Sequence, residues 1–270
     1  MALDVATGKL LVQWNITVAA QRLERPGSTV KPFVLVELLR SGKVQPEQRL
    51  ACHRPLYIDG HRMDCTHSPA VASLNASDAI AYSCNTYFSS MALRMNAVEL
   101  GEVFQRAGFT SPTGLASGEA VGRITAPQSQ SDLQLQALGD WGIEVTPLEL
   151  LLAYRALALE KLRLQNSASK EERNSNPNFV NPVFQGLERS VLYGVARAAQ
   201  PTGTSAAGKT GTASGVSKPG SHGFFVGYSP ADKPEIVLLV YLEHGRGMDA
   251  AAVAAPVFTS YWKLWHGDRK

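Results

Sequence analysis

The sequence has 270 residues, of which 44% are hydrophobic and 18% charged, and its formal net charge is +3. This composition excludes a disordered chain, and the small charge gives no argument for a nucleic-acid or anionic-membrane partner. No apolar run approaches the length of a transmembrane helix, and the start lacks the pattern of a signal peptide. Because Met1 runs directly into a predicted strand, we expect an export or anchoring segment upstream of this sequence.

The first half of the chain is predicted to combine two short strands, two helical stretches and irregular segments. Two short strands are predicted in residues 2–13, and a buried helix follows because apolar residues recur at helical spacing from Val30 to Leu39. Residues 43–70 are predicted to be irregular. Residues 71–107 are predicted to be helical with a break near 82–85, and a loop is predicted at 108–131.

The second half changes from helices to strands. Thr146-Pro147-Leu148-Glu149 has the residues of a helix start, with Thr as N-cap, Pro at the first position and Glu at the third. A polar surface connection is predicted at 165–182 and a helix at 186–199. After Gly208 three strands are predicted, and a final helix at about 250–265.

This order of elements predicts an α+β fold. We expect an antiparallel sheet formed from both chain ends, flanked by helices, with an all-helical part between them. The whole of 1–270 is predicted to be a single domain. Its sheet part covers approximately 1–40 and 186–270, and its helical part approximately 41–185.

The stretch Ser28-Thr29-Val30-Lys31 is a Ser-x-x-Lys pattern that opens the first predicted helix. Residues three apart share a helix face, so the Ser28 hydroxyl and the Lys31 amine can meet. A partly desolvated lysine can act as a base, and a helix N-terminus favours negative charge on the serine oxygen. The pattern alone is weak, because it recurs at Ser167–Lys170 and an N-cap serine before a surface lysine gives the same letters.

Two more short patterns carry candidate site residues. Ser83-Cys84-Asn85 places a hydroxyl and an amide at the predicted helix break, although ordinary capping gives the same pattern and Ser73–Asn75 repeats it. Lys209-Thr210-Gly211-Thr212 occurs once. Its lysine offers a cation for a carboxylate, Gly211 lets a substrate backbone lie against the strand, and Thr212 offers a hydroxyl and an N–H.

The stretch Gly203–Thr210 also fits the phosphate-loop pattern of ATPases. A phosphate loop needs a strand before it and a helix after it. Pro201 stands upstream, and glycines and a proline follow Thr210, so the flanking residues disfavour nucleotide binding.

The three patterns occur in the order Ser-x-x-Lys, Ser-x-Asn, Lys-Thr-Gly, which is the signature of penicillin-recognising serine enzymes. Nearly all of the chain resembles the transpeptidase domain of penicillin-binding proteins, including the flanking stretches RPGSTVKPF, AIAYSCNTYF, AAGKTGTAS and HGFFVGYSP. The resemblance implies a β-lactamase/transpeptidase-like fold. Two departures are a short stretch before Ser28, closer to class D β-lactamases, and Asp140-Trp141-Gly142 where many members carry Gly-Gln-Gly.

The resemblance also implies a role for each motif residue. Ser28 would be the acylated nucleophile and Lys31 its base, while Ser83 would relay the proton to the leaving amine and Asn85 would hold the substrate amide. Lys209 and Thr210 would bind the substrate carboxylate. The backbone N–H groups of Ser28 and Thr212 would form the oxyanion hole.

Three cysteines lie close together in the sequence, with histidines among them. Some relatives hold zinc at this place, which implies Cys52, Cys65, His67 and Cys84 as possible ligands. The alternative is a Cys52–Cys65 disulfide with Cys84 free, which an exported protein permits.

The predicted function is a serine D-Ala-D-Ala transpeptidase that cross-links peptidoglycan stem peptides outside the cytoplasm and is acylated by β-lactam antibiotics. No cofactor is expected for catalysis, no nucleic acid as a partner, and membrane attachment only through an upstream segment. A class D-like β-lactamase, a D,D-carboxypeptidase and a β-lactam sensor domain remain alternatives.

Overall fold

The computed structural model describes residues 1–166, 180–216 and 220–267 of the chain. Its central element is a five-stranded antiparallel sheet with the strand order β2-β1-β11-β10-β9. These five strands are β1 Ala2–Asp4, β2 Leu10–Val12, β9 Ala207–Ser214, β10 Ser221–Ser229 and β11 Ile236–Leu242. The sheet is therefore built from both chain ends, as predicted.

The remaining strands are two-residue pairs outside this sheet. They are β3 Leu50–Ala51 with β6 Ser73–Leu74, β4 Tyr57–Ile58 with β5 His61–Arg62, and β7 Arg123–Ile124 with β8 Ile143–Glu144. Strands β3, β4 and β5 lie in residues 43–70, the segment predicted to be irregular. This segment is a loop region in which short antiparallel pairs form.

Helices flank the sheet and form the part between its two halves. Among the described residues they are α1 Ile16–Gln21, α2 Lys31–Arg40, α3 Ala76–Ala81, α4 Asn85–Ala92, α5 Ala97–Arg106, α6 Gln130–Leu138, α7 Pro147–Asn166, α8 Asn181–Leu192 and α9 Gly247–His266. Two 3₁₀ turns cover Gly27–Val30 and Arg197–Ala199. No described helix is both long enough and apolar enough to cross a bilayer.

Several predicted helix boundaries are confirmed, one predicted helix has other bounds, and helix α6 was not predicted. The helix after Ser28, the break near 82–85 and the helix start at Thr146-Pro147 are confirmed. The helix predicted at 186–199 instead begins at Asn181, where Pro182 occupies the first turn, and ends at Leu192. Helix α6 begins inside the segment predicted to be a loop, and most of the polar connection at 165–182 lies outside the described residues.

Alternating side chains of β10 enter two different cores, because successive strand residues face opposite sides of a sheet. Phe224, Val226 and Tyr228 pack with the helical part. Phe225 packs on the other face with Phe258 of α9. Both faces of the sheet are thus covered, and β9 remains its outer strand on one side.

Candidate active site

Ser28 lies on the 3₁₀ turn Gly27–Val30, immediately before α2. Its carbonyl accepts the N–H of Lys31, so the two residues are one turn apart as predicted. The Ser28 side chain is partly exposed, and its hydroxyl makes no hydrogen bond to any residue that the structure describes. The hydroxyl is therefore available to a bound molecule.

The Lys31 amine lies fully buried at the centre of the site. It donates to the Ser83 carbonyl at 3.0 Å, the Ser83 hydroxyl at 3.3 Å and Asn85 Oδ1 at 2.6 Å. The first two predicted motifs, more than fifty residues apart in sequence, therefore meet through this amine.

Ser83 lies between α3 and α4 and has a left-handed backbone, with φ 52°. This conformation is uncommon for a residue with a side chain and is often found at functional sites. It ends α3 and lets Cys84 cap α4, which explains the break in the helical pattern. The Asn85 amide donates to the Met63 carbonyl at 2.9 Å, so the side chain is fixed at both ends.

The third motif meets the other two through Lys209. Its amine donates to the Ser83 hydroxyl at 2.8 Å and to the Thr210 carbonyl at 2.9 Å. The Ser83 hydroxyl consequently contacts both lysines. The structure thus brings Lys31, Ser83, Asn85 and Lys209 into one cluster. Ser28 lies one turn before Lys31.

Gly211 also has a role in packing. A Cβ at this position would lie 2.8 Å from Thr29 Cγ2 and would overlap the Pro26 carbonyl, so the glycine lets β9 contact the 3₁₀ turn. The Thr212 backbone lies against Gly27, and the Thr212 hydroxyl accepts the Gly247 N–H at 2.8 Å. This hydroxyl therefore anchors the start of α9.

The phosphate-loop interpretation is wrong. Gly208, Lys209 and Thr210 lie inside strand β9, which continues to Ser214. A phosphate loop would present its backbone N–H groups at a helix N-terminus, and here the lysine is buried against Ser83 instead.

Burial controls the charges of the cluster. It lowers the pKa of Lys31 to about 8, although the nearby Cys65, Cys84 and Asp140 act in the opposite direction. Burial, and to a lesser extent the charge of Lys31, places the pKa of Lys209 well below its ordinary value. Both amines can therefore lose a proton far more easily than a surface lysine.

The four predicted metal-ligating residues also converge. The ligand atoms of Cys52, Cys65, His67 and Cys84 all lie within 4.8 Å of one another. Cys65 Sγ is 3.5 Å from Cys52 Sγ and 3.6 Å from Cys84 Sγ, and His67 Nε2 is 3.6 Å from Cys52 Sγ. All three thiols are free, and the Cys52–Cys65 separation is far longer than the disulfide bond of about 2.05 Å.

The thiol cluster is joined directly to the second motif. Cys84 stands between Ser83 and Asn85, and the Asn85 N–H points to Cys65 Sγ at 3.1 Å. The position of the Asn85 side chain therefore depends on the geometry of the sulfur cluster.

Sequence reasoning assigned no role to the loop that follows α6. Gly139 ends this helix with φ 81°, and its carbonyl accepts the Gly27 N–H at 3.0 Å. Asp140 is thereby placed beside the turn that carries Ser28. The signal that could have indicated this loop was the sequence Asp140-Trp141-Gly142, which stands where many family members carry Gly-Gln-Gly.

The sheet, the helical part and the hydroxyl and amine cluster together are typical of the class of serine acyltransferases that recognise penicillin. Residues 1–262 match the family model of the penicillin binding protein transpeptidase domain. The chain belongs to this family.

Known proteins agree in sequence and in fold. The chain is 30% identical over 258 residues to peptidoglycan D,D-transpeptidase FtsI of Buchnera aphidicola, a match that covers 88% of this chain and 44% of that protein. It is 28% identical to peptidoglycan D,D-transpeptidase MrdA of Acinetobacter baumannii, covering 91% and 43%. The chain thus spans less than half the length of these relatives.

A solved structure supports the fold. The apo transpeptidase domain of Burkholderia pseudomallei penicillin-binding protein 3 matches with a TM-score of 0.82 at 21% identity, covering 98% of this chain and 87% of that one. The β-lactamase/transpeptidase-like α+β fold predicted from the sequence is confirmed.

Proposed function

We propose that the chain is a serine D,D-transpeptidase that cross-links peptidoglycan stem peptides outside the cytoplasm and is acylated by β-lactam antibiotics. One observation carries the proposal: the Ser83 hydroxyl contacts both Lys31 and Lys209, and Lys31 follows Ser28 by one turn. A nucleophile, a base and a cation for a carboxylate are the groups that acyl transfer requires.

In the acylation step Ser28 Oγ attacks the carbonyl between the two terminal D-alanines. Lys31 accepts the Ser28 proton, and Ser83 passes a proton to the nitrogen of the departing D-alanine. The C–O bond to Ser28 forms as the peptide C–N bond breaks. The N–H groups of Ser28 and Thr212 are the proposed donors to the oxyanion.

Lys209 and Thr210 are the proposed site for the terminal carboxylate of the donor peptide. Lys209 is buried without an acidic partner among the described residues, so a bound carboxylate would supply the countercharge that the amine lacks. Asn85, fixed between Lys31 and Met63, is the proposed partner of the donor amide.

The assignment of the nucleophile is tested by the intact mass of the protein after incubation with benzylpenicillin. We expect one long-lived adduct on the unchanged chain and none on Ser28→Ala. Ser167→Ala is the matched control, because Ser167 begins the second Ser-x-x-Lys pattern, and it should keep the adduct.

Two results would contradict the proposal. An adduct on Ser28→Ala would mean that another residue is the nucleophile. Rapid catalytic hydrolysis of the penicillin by the unchanged chain would indicate a β-lactamase.

We also propose that Cys52, Cys65, His67 and Cys84 hold a structural zinc ion. Ligands at about 2.0–2.3 Å from a tetrahedral zinc stand roughly 3.3–3.8 Å apart. The sulfur–sulfur and sulfur–nitrogen distances of 3.5 and 3.6 Å fit this spacing. Arg54 Nη2 donates to the His67 carbonyl at 2.6 Å and lies 2.9 Å from His67 Nδ1, so the ring is held with Nε2 toward Cys52 Sγ. The ion would fix Asn85 through Cys65 and supply no chemical step.

Metal analysis tests the zinc proposal. We expect about one zinc per chain, which His67→Ala removes, while the exposed His61→Ala retains it. Chelation should lower the melting temperature by about 10 °C, since a ligand at 1,000 times its Kd contributes about 4 kcal/mol. A metal-free protein with a Cys52–Cys65 disulfide would overturn the proposal.

A further inference from the structure

Asp140 is held next to the nucleophile turn by a close backbone contact. A side chain at Gly139 would overlap the Gly27 carbonyl, so only glycine permits the two backbones to approach this closely. The Gly27 N–H bonds to the Gly139 carbonyl, and the Asp140 N–H bonds to the Leu135 carbonyl at 3.0 Å. Asp140 is therefore the residue after Gly139 in this contact, and Ser28 is the residue after Gly27.

The carboxyl of Asp140 makes no hydrogen bond and no ion pair with any described residue, although it is only partly exposed. In the part of the chain that the structure describes, the carboxylates of the buried residues Glu24, Glu37 and Glu149 all have partners. Glu149 accepts from Gly122 N at 2.8 Å and Thr146 N at 2.7 Å, and Glu37 pairs with Arg40 and Arg106. A desolvated carboxyl left without partners is typical of a functional group.

Two cations, Lys31 and Arg25, act on this carboxyl. Burial raises the pKa of Asp140 to about 6, and the charges of Lys31 and Arg25 oppose this rise. A carboxyl with this pKa is mostly ionised at neutral pH and can still accept a proton. The charge of Asp140 in turn acts on Lys31, so the two groups share one site.

The other polar groups of the site are already engaged with one another. Lys31 and Lys209 both bond to Ser83, and Asn85 bonds to Lys31. The second half of acyl transfer needs a further group, because an amine at neutral pH arrives as an ammonium and must lose a proton before it can attack the Ser28 ester.

We propose that Asp140 is a catalytic residue that receives the acyl acceptor: its carboxylate binds the ammonium of the incoming primary amine and takes one proton from it. The neutral nitrogen then attacks the acyl carbonyl. A C–N bond forms, the C–O bond to Ser28 breaks, and a second proton of the amine goes to the Ser28 oxygen. Asp140 later releases its proton to solvent. This inference rests on the transpeptidase function proposed above.

The test separates acylation from acyl transfer. Acylation is followed with a fluorescent penicillin. Transfer is followed with a saturating acyl-D-alanyl thioester as donor and D-alanine as acceptor, from pH 5 to pH 9. For Asp140→Asn we expect transfer to D-alanine to fall about 100-fold and its rise near pH 6 to disappear, while penicillin acylation stays within about threefold.

Three controls accompany the variant. Glu102→Gln removes an exposed surface carboxylate of α5 and should leave both rates unchanged. Asp140→Ala serves as a second variant, and melting temperatures confirm that each protein is folded. Ser28→Ala should abolish both reactions.

Each other outcome counts against the inference. Unchanged transfer in both Asp140 variants would overturn it. An equal fall in acylation and transfer would mean that Asp140 only positions the turn or Lys31. A loss confined to hydrolysis of the acyl-enzyme would mean that Asp140 activates water and not the acceptor amine. If the unchanged chain is acylated but transfers nothing to the amine, the proposed function itself fails, and the Asp140 assignment with it.

Discussion

Lys31 is fully buried, and its protonation decides whether Ser28 can be activated. Only the neutral amine can accept the serine proton, and burial lowers the pKa of Lys31 from its ordinary 10.5 to about 8. The neutral fraction is about one tenth at pH 7 and about nine tenths at pH 9. We therefore expect the rate of penicillin acylation to rise about fivefold from pH 7 to pH 8 and to level off above pH 9.

This profile is measured with a fluorescent penicillin, and samples returned from each pH to pH 7.5 should regain the same rate. Lys209, Asp140, Cys65 and Cys84 are the other titratable groups around Lys31, so the midpoint belongs to the whole cluster. A rate that is flat or falling through this range would contradict the role of Lys31 as base.

For single residues, the sequence identifies the members of the candidate site better than it predicts their conformations and neighbours. The motifs identified Lys31, Ser83 and Lys209, and the helix break at Ser83 followed from the pattern. The left-handed backbone of Ser83 did not follow from it, nor did the lack of a partner for the Asp140 carboxyl among the described residues, because both depend on segments distant in sequence that pack around them.

The contact between strand β9 and the 3₁₀ turn fixes the site at the level of elements. Gly211 faces Pro26 and Thr29 at this contact, so Gly211→Ala must push the two elements apart. We expect a loss of about 1–3 kcal/mol in unfolding free energy and a marked fall in the rate of penicillin acylation. Denaturant unfolding and the acylation assay measure the two effects.

Gly101→Ala is the matched control for this substitution. Gly101 lies inside helix α5, and a Cβ there would meet nothing within 4 Å. Alanine in place of a helical glycine with open space around it stabilises by about 0.5–1 kcal/mol, and acylation should not change. Equal effects of Gly211→Ala and Gly101→Ala would mean that the packing of β9 against the turn does not explain the loss of stability and acylation.

Element boundaries were predictable where local chemistry marks them. Thr146 caps α7 by accepting the Glu149 N–H at 3.2 Å, and the letters Thr-Pro-x-Glu announced this. Helix α6 was not predicted, although Ser129 and Asp132 form a capping box at its start, because the predicted loop extended to residue 131. Helix α8 was placed too late, since its first turn borders the polar stretch.

For the whole molecule, the order of strands and helices was enough to predict a sheet made from both chain ends. The order could not show that three irregular or helical segments bring Cys52, Cys65, His67 and Cys84 together. Such convergence depends on how loops of the helical part pack, which single-sequence periodicity does not encode. The four possible zinc ligands were identified from the resemblance to penicillin-binding proteins.

The outer position of β9 has a consequence for how molecules of this chain meet each other. A strand with an unpaired side can join any extended backbone, whether that of a substrate or of a neighbouring copy. Here the turn at Pro26–Val30 rests against the middle of that strand. A second copy that paired with this strand would therefore compete with a substrate backbone for the same unpaired groups.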